Sequence, residues 1–409
     1  MISRSLRLYR DAYRGLPASV WLLGGVMLIN RSGTMVLPYL TLYLTQHLHY
    51  TVSEAGVVMA VYGTGALAGT YLGGQLSDRF GFYPIQFFSL LISGVFLLLL
   101  QFADHFYTMC GVVFVYTLLG EAFRPALSTA VAYYSTAENR TRAYSLNRLA
   151  INLGWSLGGG LGGYLAGIDY QLLFWVDGIT CIMAAGVLRM YLAPPDRALP
   201  LGAEAELPTD ETRTPYRDKI FLVFIGATTL FAIGFWQLFS MLPLYFKQFL
   251  QLGESQIGLL MTMNGLMIVF TEMPLVYTIE KRYARLKVLV ISAGVLLIGF
   301  SYVLLNLGSW ASLALITVFF NTLGEMLAMP FMLSFTVERA TPQNRGQYLA
   351  LYSMAYAVAQ ITAPALGSQV VAWVGFPLLW VLVLGLCVVS AGGFWWLAGK
   401  VKPALVETV

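Results

Sequence analysis

PPDRALPLGAEAELPTDETRTPYRD, residues 194–218, is the long polar interruption in a chain that is otherwise a succession of apolar runs. It carries five prolines and nine charged residues, so it reads as a linker and not as a packed element. Six apolar stretches precede it, at about 19–45, 53–76, 84–102, 107–134, 143–166 and 172–193. Six follow it, at about 219–249, 256–279, 288–307, 311–337, 347–372 and 377–398. Each is close to or above the ~20 residues that cross a bilayer as a helix. Numbered as spans 1–12, they predict an all-α membrane protein of two six-helix bundles. The first covers 1–193, the linker 194–218, and the second 219–409.

Composition agrees. Of 409 residues, 58% are hydrophobic and 11% charged, with a mean hydropathy of +0.71. Soluble domains carry about 25% charged residues. The net charge of +4 therefore belongs to basic loops at a membrane surface and does not imply nucleic acid. Of 24 Lys and Arg, Arg31, Arg124 and Arg148 fall within spans and Lys247 lies on one side of the membrane. The other 20 lie on the opposite side, which holds both termini and the linker and is read as the cytoplasm. A multi-pass protein of the inner (plasma) membrane is expected. The first span is too long for a cleaved signal core. Cys110, Cys181 and Cys387 lie in apolar runs without metal-ligand spacing and read as small buried hydrophobes.

The two halves repeat. Leu37-Pro38 matches Leu242-Pro243, Asn139-Arg140 matches Asn344-Arg345, and Gly162 matches Gly367, each at an offset of 205. Gly120-Glu121 matches Gly324-Glu325 at 204, and Asp78-Arg79 aligns with Glu280-Lys281 at 202. Parallel repeats of six spans predict pseudo-symmetric bundles with a substrate site at mid-depth.

Between spans 2 and 3 the chain reads GGQLSDRFGFYP, 73–84. Gly74, Leu76, Ser77, Asp78, Arg79 and Gly81 resemble the Gly-x-Leu-(Ala/Ser)-Asp-Arg-x-Gly loop of the major facilitator superfamily. Phe82 and Tyr83 stand where that family has basic residues. The resemblance covers the whole chain. It implies the major facilitator fold, alternating access, and a gating role for Gly74, Asp78, Arg79 and Gly81 as a cytoplasmic latch.

Span 5 contains GWSLGGGLGGYLA, 154–166, with Gly154, Gly158 and Gly162 on one helix face. Such stripes let helices approach closely in lipid. The run also resembles the Gly-x-x-x-Gly-Pro-x-x-Gly-Gly motif of drug:proton antiporters, with Gly159 at the proline position. Gly65, Gly69 and Gly73 form a second packing stripe, in span 2. No strand precedes it, so it is not a nucleotide loop. No Walker motif, metalloprotease His pair or serine elbow is present. A non-enzymatic protein without cofactor or metal is expected.

A charge at the centre of a membrane helix costs about 2.5–3.5 kcal/mol on insertion scales and faces a cavity or a partner. Glu121 and Arg124, three apart in span 4, share a face, and Arg31 lies in span 1. These three can form a polar cavity floor or a self-satisfied cluster. Glu325 in span 10 has no mid-depth cation on its own span. It is expected to be the proton-coupling residue, with Glu121 its repeat partner. Asp177 reads as lying near the outer end of span 6, within reach of water. Tyr39, Tyr43, Trp236, Gln237, Asn264 and Asn321, with Arg31 and Arg124, are expected to bind substrate.

Together these features predict a proton-coupled secondary transporter, monomeric in the bilayer, that exports amphipathic small molecules as drug:proton antiporters do. The alternative is a proton-coupled symporter for peptides or similar solutes. LGEMLAMP, 323–330, resembles the span-10 stretch of peptide transporters, but Met27 and Asn30 stand where their span 1 has glutamates. A receptor without transport would need a soluble output surface that these short loops do not offer.

Overall fold

The structure, a computed structural model, describes residues 15–136, 139–195, 214–283, 286–340 and 344–400. The basic N-terminal residues 1–14, most of the linker and the C-terminal tail lie outside the described residues. Everything long is helical. Twelve helices follow in chain order. They are α1 (Ala18–Gly33, then Val36–Leu42), α2 (Val52–Phe80), α3 (Phe82–Leu100), α4 (Phe106–Glu121, then Phe123–Tyr134), α5 (Arg140–Ile168) and α6 (Gln171–Tyr191). Then come α7 (Lys219–Phe235, Gln237–Ser240 and Leu242–Gln248), α8 (Glu254–Tyr283), α9 (Lys287–Val303), α10 (Ala311–Arg339), α11 (Arg345–Val374) and α12 (Phe376–Ala398). Eleven are long and apolar enough to cross a membrane. The twelfth, α5, has the length but is diluted by glycines and by Arg140, Arg142 and Arg148. Large apolar side chains such as Tyr107, Trp373 and Phe270 stand exposed on the helices, as a lipid-facing surface requires.

Proline explains the interruptions of α1 and α4. Its ring clashes with the carbonyl four residues earlier and it donates no N–H. Pro38 acts on Thr34, where α1 breaks, and Pro125 acts on Glu121, where the first part of α4 ends. In α1 the side chains add to the effect. Ser32 Oγ donates to the Leu28 carbonyl at 2.7 Å and Thr34 Oγ1 to that of Asn30 at 3.2 Å. Such bonds back along the helix favour a bend. In α7 the last piece starts at Leu242, with Pro243 in its first turn, matching Leu37-Pro38 in α1.

Contacts divide the chain into two compact units. Unit 1 comprises the described residues of Met1–Tyr43, Val61–Leu201 and Glu254–Leu266. Unit 2 comprises those of Leu44–Ala60, Gly202–Gly253 and Met267–Val409. In unit 1 the principal helix pairs are α3 with α6, α1 with α5, α1 with α6 and α3 with α4. In unit 2 they are α9 with α12, α7 with α11, α7 with α12 and α9 with α10. Each pair recurs six helices later, so the sequence repeat is also a packing repeat.

Glycines set the close approaches. The α2 stripe presses on α4: a Cβ at Gly73 would lie 2.5 Å from Ala122 Cα, beside the α4 break, and one at Gly65 would strike Thr117. In α5, Gly159 and Gly163 take Met261 and Gly258 of the unit 1 part of α8, where Ser156 and Thr262 exchange bonds with each other's carbonyls at 3.1 and 3.2 Å. In unit 2, Gly56 meets Ser368 of α11 and Ser53 bonds Gln369 at 3.3 Å.

Candidate functional site

The break in α1 is held from two sides. On one side stands the glycine face of α5. A Cβ at Gly154 would sit 2.5 Å from Arg31 Cβ, and one at Gly158 would sit 3.1–3.3 Å from the carbonyls of Arg31, Ser32 and Thr34. Farther along, Gly162 accommodates Met35 and Tyr39. On the other side stands α6. Gly33 lies against Thr180, and Asp177 Oδ2 accepts from the Val36 amide at 3.4 Å. The run 154–162 thus does more than join two helices. It seats the backbone of Arg31.

This arrangement leaves a polar pocket inside unit 1. Asn30, Arg31 and Thr34 of α1, Tyr62 of α2, Ser93 of α3, Tyr116, Thr117 and Glu121 of α4, and Asp177 and Cys181 of α6 surround about 390 Å³ of partly open space. Arg31 is 8% exposed, and its Nε is buried without a hydrogen-bond partner. Glu121 pairs with Arg124 at 3.2 Å, and the arginine side chain is 58% exposed. Of the expected polar floor, Glu121 and Arg124 therefore touch. Arg31 faces the same pocket but forms no ion pair among the described residues. A buried guanidinium with an unused N–H is a ready partner for a polar or anionic group.

Asp177 is the correction. Instead of reaching water at a helix end it is 2% exposed, with its carboxylate at the α1 break. Sequence depth placed it only along α6. The signal that it was needed lay in α1, where Pro38 leaves the amides after Thr34 without helical acceptors.

Other expected residues take different places. Tyr39 and Tyr43 do not line this pocket. Tyr39 is fully buried and donates to the Gly159 carbonyl at 2.8 Å, while Tyr43 packs on Phe174 and Tyr170. Asn264 is half-buried on α8. In unit 2, Gln237 is buried and donates to the Ala363 carbonyl at 3.0 Å. Asn321 is fully buried and donates to Ser301 at 3.4 Å, with its Oδ1 unsatisfied. Trp236 is half-buried, with its indole N–H unsatisfied. Glu325 is half-buried on α10, within electrostatic reach of Tyr302 on α9 and Tyr356 on α11. Gly324 beside it presses on Gly294 and Ile298. In the α2–α3 turn, Gly81 adopts φ +87°, which explains the glycine there, whereas Asp78 and Arg79 are exposed.

One polar cluster had no counterpart in the sequence reading. Asp218 caps α7 through the Phe221 amide at 3.1 Å, accepts two bonds from Arg339 at 2.6 and 2.7 Å, and accepts from Tyr348 at 3.0 Å. Burial works to push its carboxyl up. The bonds from Arg339, the Phe221 amide and Tyr348 outweigh that and hold it below the ordinary carboxylate range.

The family model described as Major Facilitator Superfamily matches residues 20–253 and 227–408. A Na(+), Li(+), K(+)/H(+) antiporter of Planococcus maritimus is 24% identical over 404 residues, spanning 91% of this chain and 94% of that protein. The quinolone resistance protein NorA of Staphylococcus aureus is 22% identical over 232 residues, 57% of this chain and 59% of that protein. Among solved structures, a POT family transporter in complex with a thioalcohol-conjugated peptide superposes with a TM-score of 0.77 at 14% identity, covering 95% and 97% of the two chains.

Proposed function

The chain belongs to the major facilitator superfamily, and we propose that it is a proton-coupled exporter of amphipathic small molecules, working by alternating access. It is a multi-pass membrane transport protein and not an enzyme. The observation that carries the finer reading is the pocket of unit 1, where Arg31, Asp177 and Glu121, all on long apolar helices, line one partly open space. Intramembrane charges of this kind mark ion and substrate pathways. Relatives named as a cation/proton antiporter and as a quinolone resistance protein support exchange and efflux.

In this reading Arg31 and Asp177 set the charge of the pocket that receives the polar end of the substrate. The enclosed space is small, so it takes one functional group of the substrate and leaves an apolar body outside it. Glu121 and Arg124 form a fixed pair beside it. Glu325, repeat partner of Glu121 and half-buried on α10, is the proton carrier. Asp78 latches the cytoplasmic side, both termini are cytoplasmic, and residues 194–218 join two six-helix bundles. Uptake of peptides or similar solutes is the second reading, favoured by the Gly324-Glu325 stretch ahead of Pro330 in α10.

The test is transport by purified protein in proteoliposomes with an acidic lumen. The panel comprises lipophilic cations, fluoroquinolones, dipeptides and Na(+), Li(+) and K(+). Exchange accumulates substrate in the acidic lumen, and symport accumulates it in the alkaline compartment. Glu325→Gln is expected to abolish gradient-driven accumulation while leaving substrate binding and passive exchange. Full gradient-driven activity in that variant would remove Glu325 from the role.

A further inference from the structure

We infer that Asp177 is a proton-binding site of this transporter, placed so that its protonation acts on the break in α1 and on the charge of the pocket. The inference rests on the proton-coupled reading and adds to Glu325 a second proton site, outside α10. Three independent features meet at this carboxylate.

The first is its setting. Asp177 is 2% exposed within unit 1, yet it borders a pocket with room for water. A proton can therefore reach it without the helices unfolding. The second is its incomplete neutralisation. A carboxylate offers about four lone-pair directions. Here they receive the Val36 amide at 3.4 Å and the Cys181 thiol at 3.8 Å, both long donors, while the neighbouring Met35 amide donates to the Gly33 carbonyl. Arg31 faces it across the pocket but makes no ion pair with it among the described residues. The third is what it holds. The amide it accepts from, that of Val36, begins the second part of α1, and the residue three positions before the break at Thr34 is Arg31.

Every packed element contributes to the electrostatics. Arg31 faces the carboxylate from α1, Tyr62 from α2, Tyr116 and Glu121 from α4, and Cys181 from its own helix, while α3 offers only Ser93. Arg124 lies behind Glu121 and cancels it. With Asp177 ionised, the four full charges sum to zero. With Asp177 protonated, the pocket carries a net single positive charge.

The proton binds one carboxylate oxygen. The new O–H then has the Cys181 sulfur as its acceptor, reversing the present thiol-to-carboxylate bond, while Asn30 Nδ2 donates to the same sulfur at 3.3 Å. The Val36 amide loses a charged acceptor, so the start of the second part of α1 is released from α6. The Arg31 guanidinium loses its facing charge. A cationic group is expelled from the pocket when the proton arrives and is admitted when it leaves. Exchange of a proton for an amphipathic cation follows from this charge count, without a substrate–proton contact.

Infrared spectroscopy of the purified full-length protein in lipid bilayers tests the inference. Stepwise acidification between about pH 9 and pH 5 spans the range in which buried carboxyls titrate. Wild type is expected to gain the C=O stretch of a protonated, weakly bonded carboxyl. Asp177→Asn is expected to lose that band, and Glu325→Gln to retain it. Wild-type protein made with carboxyl-13C aspartate needs no variant to fold, and its band should shift to lower frequency. A band pattern that is the same in wild type and Asp177→Asn, or that is unmoved by labelled aspartate, would overturn the inference. A titrating Asp177 in a protein that moves no substrate under any proton gradient would instead sink the transport reading and leave the site standing.

Discussion

Gly154→Ala is the sharpest packing test of the site. The new methyl would lie 2.5 Å from Arg31 Cβ and 3.0 Å from its carbonyl carbon. Carbon atoms in contact prefer about 3.5–4.0 Å, so α1 must withdraw from α5 by about 1 Å. Over-packing of this size costs about 1–3 kcal/mol. Alanine in place of glycine also returns about 1 kcal/mol of helix propensity, which masks part of the loss. Gly186→Ala, on α6, is the control. It gains the same propensity and meets nothing within 4 Å. The difference between the two variants therefore isolates the contact, and Gly154→Ala should be the less stable by about 1–3 kcal/mol. Thermal unfolding in one detergent, read by intrinsic fluorescence, measures the stability difference. Substrate binding adds a second readout, because a shift of about 1 Å in a positioning group can cost on the order of 100-fold in function. Equal stability and equal binding in the two variants would refute the claim that the α5 glycines seat Arg31.

Two further outcomes follow from the geometry. Asp218→Asn should destabilise by about 1–3 kcal/mol at neutral pH, since it removes a charged acceptor from the partly buried Arg339. The native carboxyl is held below its unfolded value, so its contribution is present above about pH 4 and fades as pH falls through the folded value. Unfolding curves of variant and wild type should therefore converge in acid, and a gap that persists or widens there contradicts the assignment. Orientation is read by impermeant maleimide on intact cells: His105→Cys, exposed before α4, should react, and Arg217→Cys, exposed before α7, should not. The reverse pattern would invert the topology. The native Cys181 and Cys387 are buried, and the half-buried Cys110 is replaced by serine in both variants to remove its background.

Eleven spans were legible by length and hydropathy, and the glycine-diluted α5 by its length and its place in the half-length repeat. Arg31, Glu121 and Arg124 were legible because charge in a span is costly. Asp177 was not, because linear position gives depth along one helix and says nothing of a broken neighbour. Pro38 and Pro125 signalled the breaks, but the rule alone does not choose among prolines: Pro274, Pro330 and Pro364 sit inside continuous helices. Tyr39 and Tyr43 looked like a cavity wall by their one-turn spacing, yet that face meets α5 and α6. Asp218, Arg339 and Tyr348 come from three separate helices, and no spacing in the chain brings them together.

Coupling of substrate to protons is the central claim, and the lumenal pH of sealed proteoliposomes tests it without an imposed gradient. A pH-sensitive dye is trapped inside, and a lipophilic cation is added outside at equal pH. Exchange predicts that the lumen turns alkaline as substrate enters and protons leave, with the signal lost in Glu325→Gln. Acidification of the lumen would show symport. No substrate-dependent pH change, in vesicles that accumulate the cation, would contradict proton coupling altogether.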